Sequence, residues 1–201
     1  MSKRRVVITG MGILSPVGLT LKENWDNISN GVSGISRISH FDPEGFPCTI
    51  AGEVNGFDPA NYISPKEARK MDRFIQLGMA AGLDAFKDSG LEVTEENADR
   101  IGVHVGSGIG GIVTIENATK TLAEKGIRRV SPFFVPSSII NMISGNLSIT
   151  HGLRGPNLSM VTACTTATHA IGDAGRIIEY GDADVMLAGG AEAAISGTSI
   201  A

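Results

Sequence analysis

The chain has 201 residues, enough for one sizeable domain with a packed core. Its 42% hydrophobic and 19% charged residues are ordinary proportions for a globular protein. The net charge of -4 gives no general attraction to nucleic acid or acidic membranes, so an anionic partner would need a local basic patch. Two cysteines cannot form a disulfide framework, so we expect a reducing, cytoplasmic setting. The first residues are typical of neither a signal peptide nor a membrane span.

The first 61 residues predict two strands and one helix. Val6 to Thr9 is an apolar, β-branched run before two glycines and is interpreted as a buried strand. Thr20 and Glu23 form a capping-box pattern, which predicts a helix from Leu21 to Asn30 that ends before Gly31. Residues 32–61 show no sustained period, and we expect an irregular segment with one short strand near residues 50–54. Cys48 lies there and is interpreted as an incidental thiol.

A strong helix start follows at Ser64-Pro65-Lys66-Glu67, and the pattern predicts one helix to Asp88. Positive side chains recur at spacings of zero, three, four and seven residues on one face of this helix. These are Lys66, Arg69, Lys70 and Arg73. A charged face is usually solvated surface, but one of nearly uniform sign in an acidic protein also fits an anionic partner.

The middle of the chain carries a glycine-rich turn between a strand and a helix. Ile101 to Val105 predicts a buried strand, and Gly106-Ser-Gly-Ile-Gly-Gly111 leads into a helix to about Lys125. The turn contains the G-x-G-x-x-G spacing of dinucleotide-binding proteins, so a nucleotide-dependent oxidoreductase is one alternative. No acidic residue closes a second strand about twenty residues later, which weakens that alternative. Arg128 and Arg129 form a second basic site.

Two adjacent phenylalanines, Phe133 and Phe134, lie in a predicted loop at residues 131–136. They could belong to the core, line an apolar ligand tunnel or form a subunit contact. Ser137 or Ser138 is expected to cap an apolar helix that continues through Ile139 to Leu147.

The stretch from Pro156 to Glu192 carries the candidate chemistry. Residues 158–163 predict a short strand, and a helix rich in small residues follows directly, with Cys164 at the junction. The helix has the composition of a buried central helix, ends at Gly181 and is followed by a strand at residues 185–189. At a helix N-terminus, unpaired N–H groups and the dipole favour a thiolate and can stabilise an oxyanion. Cys164 is therefore either a nucleophile or a small core residue.

A nucleophilic cysteine needs a base, and the spacing supplies none. His169 lies five residues further along the helix, about 140° around its axis and about 7.5 Å along it, so a structural role is expected. Nothing in the sequence pairs His40, His104 or His151 with Cys164. The alternation of strands and helices with short glycine-rich connections predicts an α/β fold with a central, mainly parallel sheet.

Four motifs together resemble the β-ketoacyl-[acyl carrier protein] synthases of the thiolase-like superfamily. They are V-T-A-C-T-T-A-T-H-A-I-G around Cys164, V-V-I-T-G-M-G-I-L-S-P-V-G near the start, G-S-G-I-G-G in the middle and A-G-G-A-E near the end. The resemblance implies a thiolase-like fold with helices on both faces of the sheet, of which residues 1–201 form the N-terminal half. It also implies that two catalytic histidines and a lysine belong to a C-terminal half, so this chain alone is expected to be inactive.

The resemblance implies a role for individual residues. Cys164 matches the acyl-accepting nucleophile, and its N–H matches one oxyanion donor. Ile109 matches an aliphatic gate at the acyl pocket, and Phe134 and Ile139 match pocket residues contributed across a homodimer. The surface that docks the acidic acyl carrier protein is matched by Lys66, Arg69, Lys70, Arg128 and Arg129.

The same resemblance implies that no metal or dissociable cofactor is needed, because the phosphopantetheine arrives on the carrier protein. Three related classes of protein remain as alternatives. A non-catalytic subunit that binds acyl chains or carrier protein is disfavoured by the intact Cys164, and a thiolase by the basic patch. A polyketide-type ketosynthase stays open.

Overall fold

The computed structural model describes residues 4–201 and contains a short and a longer β-sheet with helices around them. The helices are α1 (Leu21–Ser29), α2 (Pro65–Ala68), α3 (Arg73–Ser89), α4 (Ile112–Lys125), α5 (Phe134–Ser138), α6 (Met142–His151), α7 (Thr166–Tyr180) and α8 (Gly197–Ile200). The strands are β1 (Ser36–Arg37), β2 (Ile50–Ala51), β3 (Ile101–Gly106), β4 (Asn157–Leu158) and β5 (Val185–Gly190). Short 3-10 turns cover Pro59–Asn61, Ala98–Arg100, Ile127–Arg129 and Ala163–Thr165.

The longer sheet is parallel, with the order β4-β3-β5. β3 pairs with β5 along its whole length, from Ile101 opposite Val185 to Gly106 opposite Gly190. Because the strands are parallel, the segments that leave their carboxyl ends emerge at one edge of the sheet. The glycine-rich turn, the segment that leads to Cys164 and the residues after β5 therefore converge there. The prediction of an α/β fold around a parallel sheet is confirmed.

Helices cover both faces of this sheet, as expected. On one face, Ile101 and Val103 pack in a buried core with residues of α3 and α6. Two glycines of α3 let these helices approach closely. A Cβ atom on Gly78 would lie 2.6 Å from Ile143 Cδ1, and one on Gly82 would lie 2.7 Å from Leu147 Cδ1. On the other face α7 packs on β3 and β5.

The predicted helix from Ser64 to Asp88 is wrong as a single element. Ser64 caps α2 as expected, but α2 ends at Ala68, and α3 begins at Arg73 with Asp72 as its N-cap. The Asp72 carboxylate is buried and accepts hydrogen bonds from Phe74 N at 3.3 Å and from Thr114 N at 2.9 Å. An aspartate offers the backbone this alternative to a continuous helix, because its side chain satisfies N–H groups at a new N-terminus.

Three other boundaries also differ from the predictions. The run Val6–Thr9 forms no strand and is largely exposed; it lies beside α3, where Met11 N donates to Asp88 Oδ2 at 2.9 Å. The strand predicted for 158–163 is confined to β4. Ser144 Oγ on α6 donates to Leu158 O at 2.7 Å, and strand pairing ends at this residue. The serines expected to cap the helix through Leu147 belong to α5, and α6 starts only at Met142.

Helix α7 is only partly buried, which corrects the expectation of a buried central helix. Thr166, Ala170 and Ala174 are buried, whereas Ile171 on the opposite face is 52% exposed. The small residues on that face have no neighbours among residues 4–201: a Cβ atom on Gly172 or Gly175 would meet nothing within 4 Å. The capping box of α1 and the left-handed Gly181 after α7 are as predicted. No helix within the described residues is long and apolar enough to cross a membrane.

Candidate active site

Cys164 lies in the 3-10 turn Ala163–Thr165 that leads directly into α7, and its side chain is exposed. Ala163 has φ 53°, and among the described residues it alone of the non-glycine residues has a positive φ. Such a conformation is costly for a residue with a Cβ atom and is maintained by its surroundings. Here the Thr166 hydroxyl donates to Ala163 O at 2.7 Å and accepts from Thr162 N at 2.9 Å. The junction predicted from the sequence is therefore a strained turn that presents the thiol.

The Cys164 thiol and the Cys164 N–H have no hydrogen-bond partner among residues 4–201. An N–H without an acceptor in the first turn before a helix is a free donor, and the positive end of the α7 dipole lies beside it. Such a donor can stabilise the oxyanion that forms when a thiolate attacks a carbonyl. The turn therefore combines an accessible thiol with an N–H group that could stabilise an oxyanion.

The surroundings of His169 and His104 agree with the expectation that neither is paired with Cys164. His169 Nδ1 lies 3.1 Å from Thr162 Oγ1. This contact stabilises the turn of Cys164, which is the kind of structural role expected for His169. His104 is buried in β3, its Nδ1 has no hydrogen-bond partner among the described residues, and burial lowers its pKa. Neither histidine is hydrogen-bonded to Cys164, and no described residue is bonded to its thiol as a base.

The glycine-rich turn after β3 is bound by a carboxylate from the segment that follows β5. Glu192 Oε2 accepts from Gly108 N at 2.8 Å and from Ile109 N at 2.9 Å, and Glu192 Oε1 accepts from Ser107 Oγ at 3.0 Å. Ser107 Oγ in turn accepts from Gly110 N at 3.1 Å. Sequence reasoning missed Glu192, although a carboxylate just after β5 and a glycine turn just after its parallel neighbour β3 had to meet.

These hydrogen bonds weigh against dinucleotide binding by the G-x-G-x-x-G segment. A pyrophosphate would need the N–H groups of this turn and of the helix start behind it. Those of Gly108, Ile109 and Gly110 already donate to Glu192 or Ser107, and Thr114 N at the start of α4 donates to Asp72. A nucleotide would also meet the negative charge of both carboxylates. The glycines instead allow the turn to pack closely against neighbouring segments.

The glycine turn lies against the turn of Cys164. A Cβ atom on Gly108 would be 3.2 Å from Ala163 O, and one on Gly106 would be 2.2 Å from Met160 O. Only glycines permit this approach. Ile109, the candidate gate, belongs to this turn, and its side chain is 54% exposed. The structure therefore brings the segments of Ile109 and Cys164 together, as the resemblance implied for a gate.

The two candidate pocket residues of the dimer lie on the other side of the glycine turn. Gly111 N donates to Ser138 O at 3.0 Å, which fixes the end of α5 against this turn. Phe134 begins α5 and is half-buried, and Ile139 follows it and is 39% exposed. Val135 between them is also exposed. These apolar side chains form a surface next to the segment of Ile109.

The basic residues lie on two short segments, one of which contacts Phe133. Lys66 and Arg69 are exposed on α2 and at its end, and Lys70 Nζ lies 5.1 Å from the centroid of the Phe133 ring. The second segment contains the exposed Arg128 and Arg129, shortly before Phe133 in the chain. We call these five cations (Lys66, Arg69, Lys70, Arg128 and Arg129) the basic patch.

Arg73 does not belong to the basic patch, which corrects the predicted four-residue helix face. Its guanidinium lies 4.6 Å from the centroid of the Phe57 ring and donates to Val54 O at 3.3 Å. The break before α3 turns Arg73 inward, and burial lowers its pKa. Arg73 therefore connects α3 to the segment before it.

Comparison with known proteins assigns the chain to one family. Residues 3–201 match the N-terminal domain of the beta-ketoacyl synthases, and the chain belongs to that family. It is 63% identical over 194 residues to 3-oxoacyl-[acyl-carrier-protein] synthase 2 of Vibrio cholerae, which covers 96% of this chain and 47% of the relative. The Staphylococcus aureus (strain COL) protein of the same name is 51% identical over 198 residues, 98% of this chain and 48% of the relative. The chain thus spans about half the length of these curated relatives.

Solved structures give the same fold. A type II polyketide ketosynthase in complex with its acyl-carrier protein, AntDE:AntF, has a TM-score of 0.82 at 28% identity, with coverage of 99% of this chain and 54% of the other. A beta-ketoacyl synthase from Burkholderia phymatum has a TM-score of 0.83 at 30% identity, with coverage of 99% and 49%. The thiolase-like α/β fold implied by the sequence motifs is confirmed.

Proposed function

We propose that residues 1–201 are the N-terminal half of a β-ketoacyl-[acyl carrier protein] synthase of fatty-acid elongation, with Cys164 as its acyl-accepting nucleophile. The observation that supports this most is the turn of Ala163 and Cys164. It presents an exposed thiol and an N–H without an acceptor at the start of α7. Identity of 63% to a protein named as such a synthase supports the reaction.

In this proposal the Cys164 thiolate attacks the thioester carbonyl of an acyl carrier protein. The new sulfur–carbon bond forms as the carrier's pantetheine thiolate leaves and takes a proton, and the Cys164 N–H stabilises the oxyanion in between. Malonyl carrier protein then loses CO₂, and its carbanion attacks the acyl-cysteine. A carbon–carbon bond forms and the Cys164 thiolate is released. The base and the second oxyanion donor are assigned to the C-terminal half.

The proposal needs no metal or dissociable cofactor, because the phosphopantetheine is attached to the carrier protein. The basic patch is the proposed docking surface for that acidic protein, and the carrier complex of the structural neighbour AntDE:AntF supports such a partner. Long-range attraction between opposite charges would speed the encounter. The full-length protein is proposed to be a cytoplasmic homodimer in which Phe134 and Ile139 reach the acyl pocket of the partner subunit.

A polyketide-type ketosynthase is the second candidate, since the structural neighbour AntDE:AntF is of that kind. Its identity to this chain is 28%, against 63% and 51% for the two relatives named synthase 2. Fatty-acid elongation is therefore the better supported of the two reactions.

A condensation assay with the full-length protein tests the function. The substrates are an acyl carrier protein and malonyl carrier protein, and the product is the β-ketoacyl carrier protein. Cys164→Ala should lower the rate by at least about a thousandfold, because removal of one member of a catalytic unit disables the whole. Cys48→Ala is the matched control and should keep the wild-type rate. Condensation that survives Cys164→Ala would refute the assignment. The 201-residue chain alone should be inactive, and adding the separately expressed C-terminal half should restore turnover.

A further inference from the structure

Glu192 makes three hydrogen bonds to the turn that carries Ile109, and nothing in the proposed reaction uses its carboxylate. Both oxygens are engaged: Oε2 by two consecutive backbone N–H groups and Oε1 by the Ser107 hydroxyl. Ser107 is 1% exposed, so its side chain is fixed by packing, and its oxygen also accepts from Gly110 N. One carboxylate thus satisfies, directly or through Ser107, the polar groups of four successive residues.

The glycines of this turn make its backbone flexible. Gly108 and Gly110 flank Ile109, and Gly110 has φ 74°, a conformation open to glycine at little cost. A segment of this composition samples many conformations unless other groups hold it. The Glu192 hydrogen bonds hold it, and they do so at the backbone of Ile109 itself. The position of the exposed Ile109 side chain is therefore fixed by Glu192, which follows strand β5.

The same turn also touches the nucleophile. Gly108 lies so close to Ala163 that a Cβ atom there would be 3.3 Å from Ala163 Cα. A change in the position of the turn would consequently alter the space in front of Cys164.

We propose that Glu192 is a positioning residue for the acyl gate: its carboxylate holds the Ser107–Gly110 turn, and with it Ile109, in place against the turn of Cys164. This inference rests on the proposed function, since the gate matters only if an acyl chain enters there. An acyl chain that displaces Ile109 must work against the hydrogen bonds to Glu192. Long acyl chains need Ile109 to be displaced and therefore enter against these hydrogen bonds. An acetyl group is short enough to enter without displacing Ile109.

Three variants of the full-length protein separate hydrogen bonding from charge. Glu192→Ala removes all three bonds. Glu192→Gln keeps the length of the side chain, its oxygen can accept from Gly108 N and Ile109 N, and its NH₂ can donate to Ser107 Oγ. Glu124→Ala changes an exposed glutamate on α4 and is the matched control.

Hydrogen–deuterium exchange tests the turn without reference to catalysis. In Glu192→Ala the amides of Gly108 and Ile109 should exchange at least about tenfold faster, because hydrogen bonds to a charged group contribute enough to protect them by that factor. Glu192→Gln should recover most of the protection, and Glu124→Ala should match the wild type. Unchanged exchange in Glu192→Ala, with its melting temperature kept, would overturn the proposal.

Acylation of Cys164 tests the gate. The ratio of single-turnover acylation rates for a dodecanoyl and an acetyl carrier thioester should rise at least about threefold in Glu192→Ala and return toward the wild-type ratio in Glu192→Gln. An unchanged ratio, or a glutamine variant that behaves like the alanine variant in both measurements, would refute positioning by hydrogen bonds. If the wild-type protein forms no acyl-cysteine with either substrate, the proposed function fails, whereas the exchange result still decides whether Glu192 holds the turn.

Discussion

Lys70 Nζ lies 5.1 Å from the centroid of the Phe133 ring and pairs with Glu67 Oε1 at 2.8 Å. This contact connects the end of α2 to the segment that leads into α5. Asp72 N, which donates to Ser137 O at 3.2 Å, joins the same two segments a little further on. The proposed docking surface and the proposed pocket residues therefore belong to one continuous region of the molecule.

Charge reversal in the basic patch should weaken carrier-protein binding and leave the fold intact. Arg69→Glu with Lys70→Glu removes two of its five cations and adds two negative charges, and affinity at low salt should fall about tenfold. Surface plasmon resonance with the full-length protein at two salt concentrations measures this, and the difference should shrink at high salt.

A control pair for this measurement is Lys22→Glu with Lys87→Glu, which changes exposed lysines of α1 and α3 outside the basic patch. It makes the same change in net charge, so its affinity should stay within about twofold of the wild type. Equal losses in both double variants would mean that net charge, and not the basic patch, governs binding.

Cys164 should react faster with iodoacetamide than Cys48, although both thiols are exposed. The Cys164 thiol has no hydrogen-bond partner within residues 4–201 and lies in the turn that leads into α7, whereas Cys48 lies in an irregular segment where its Sγ donates to Ile50 O at 3.3 Å. Peptide mass mapping after brief treatment should show at least about fivefold more label on Cys164. Preferential labelling of Cys48 would remove the chemical argument for the nucleophile.

Asp72→Ala should destabilise the protein by about 2–3 kcal/mol, because it leaves Phe74 N and Thr114 N without their acceptor in a buried place. Urea denaturation measures the loss. Asp58→Ala removes an exposed cap with a single bond, to Ala60 N, and should cost about 1 kcal/mol or less. A similar cost for both variants would show that Asp72 does no more than an ordinary cap.

Glu116 should make stability depend on pH in the acid range. The hydrogen bond from Lys120 Nζ, at 2.6 Å, is the main cause that lowers the pKa of Glu116 from 4.5 to about 2. Because the folded pKa lies below the unfolded one, this stabilisation is complete above about pH 5 and is lost as the pH falls toward about 2. Glu116→Gln should lower the melting temperature at pH 7 by about 3 °C and reduce its decline in acid.

The matched control is Asp26→Asn on α1, where the exposed Lys22–Asp26 pair has the same spacing of four residues. An exposed pair contributes little, so the melting temperature of this variant should change by less than about 1 °C at either pH. An equal acid sensitivity in wild type and Glu116→Gln would contradict the role of Glu116.

The sequence predicted those parts of the fold that are decided locally. The cap of α1, the strands β3 and β5 and the junction at Cys164 follow from side-chain periodicity and capping residues, and the structure confirms them. The run Val6–Thr9 was predicted wrongly because composition shows that a segment can pair but not whether a partner strand lies beside it.

The missing parts of the site depend on contacts between distant segments. Asp72 interrupts a strong helical pattern because its carboxylate meets Thr114, and Glu192 meets the turn after β3 across 83 to 85 residues of chain. The motifs around Cys164 pointed to the proposed nucleophile, but spacing cannot show that two carboxylates occupy the N–H groups of a glycine-rich segment. That arrangement explains why the G-x-G-x-x-G pattern misleads here.

The most direct test of the account is to trap the acyl-enzyme. The full-length protein is incubated with dodecanoyl carrier protein in the absence of malonyl carrier protein, and its peptides are mapped by mass spectrometry at a pH that preserves thioesters. We predict one dodecanoyl group, on the peptide that contains Cys164, and none in Cys164→Ala. A stable acyl group on a different residue, or condensation by an enzyme whose Cys164 never becomes acylated, would contradict the central claim.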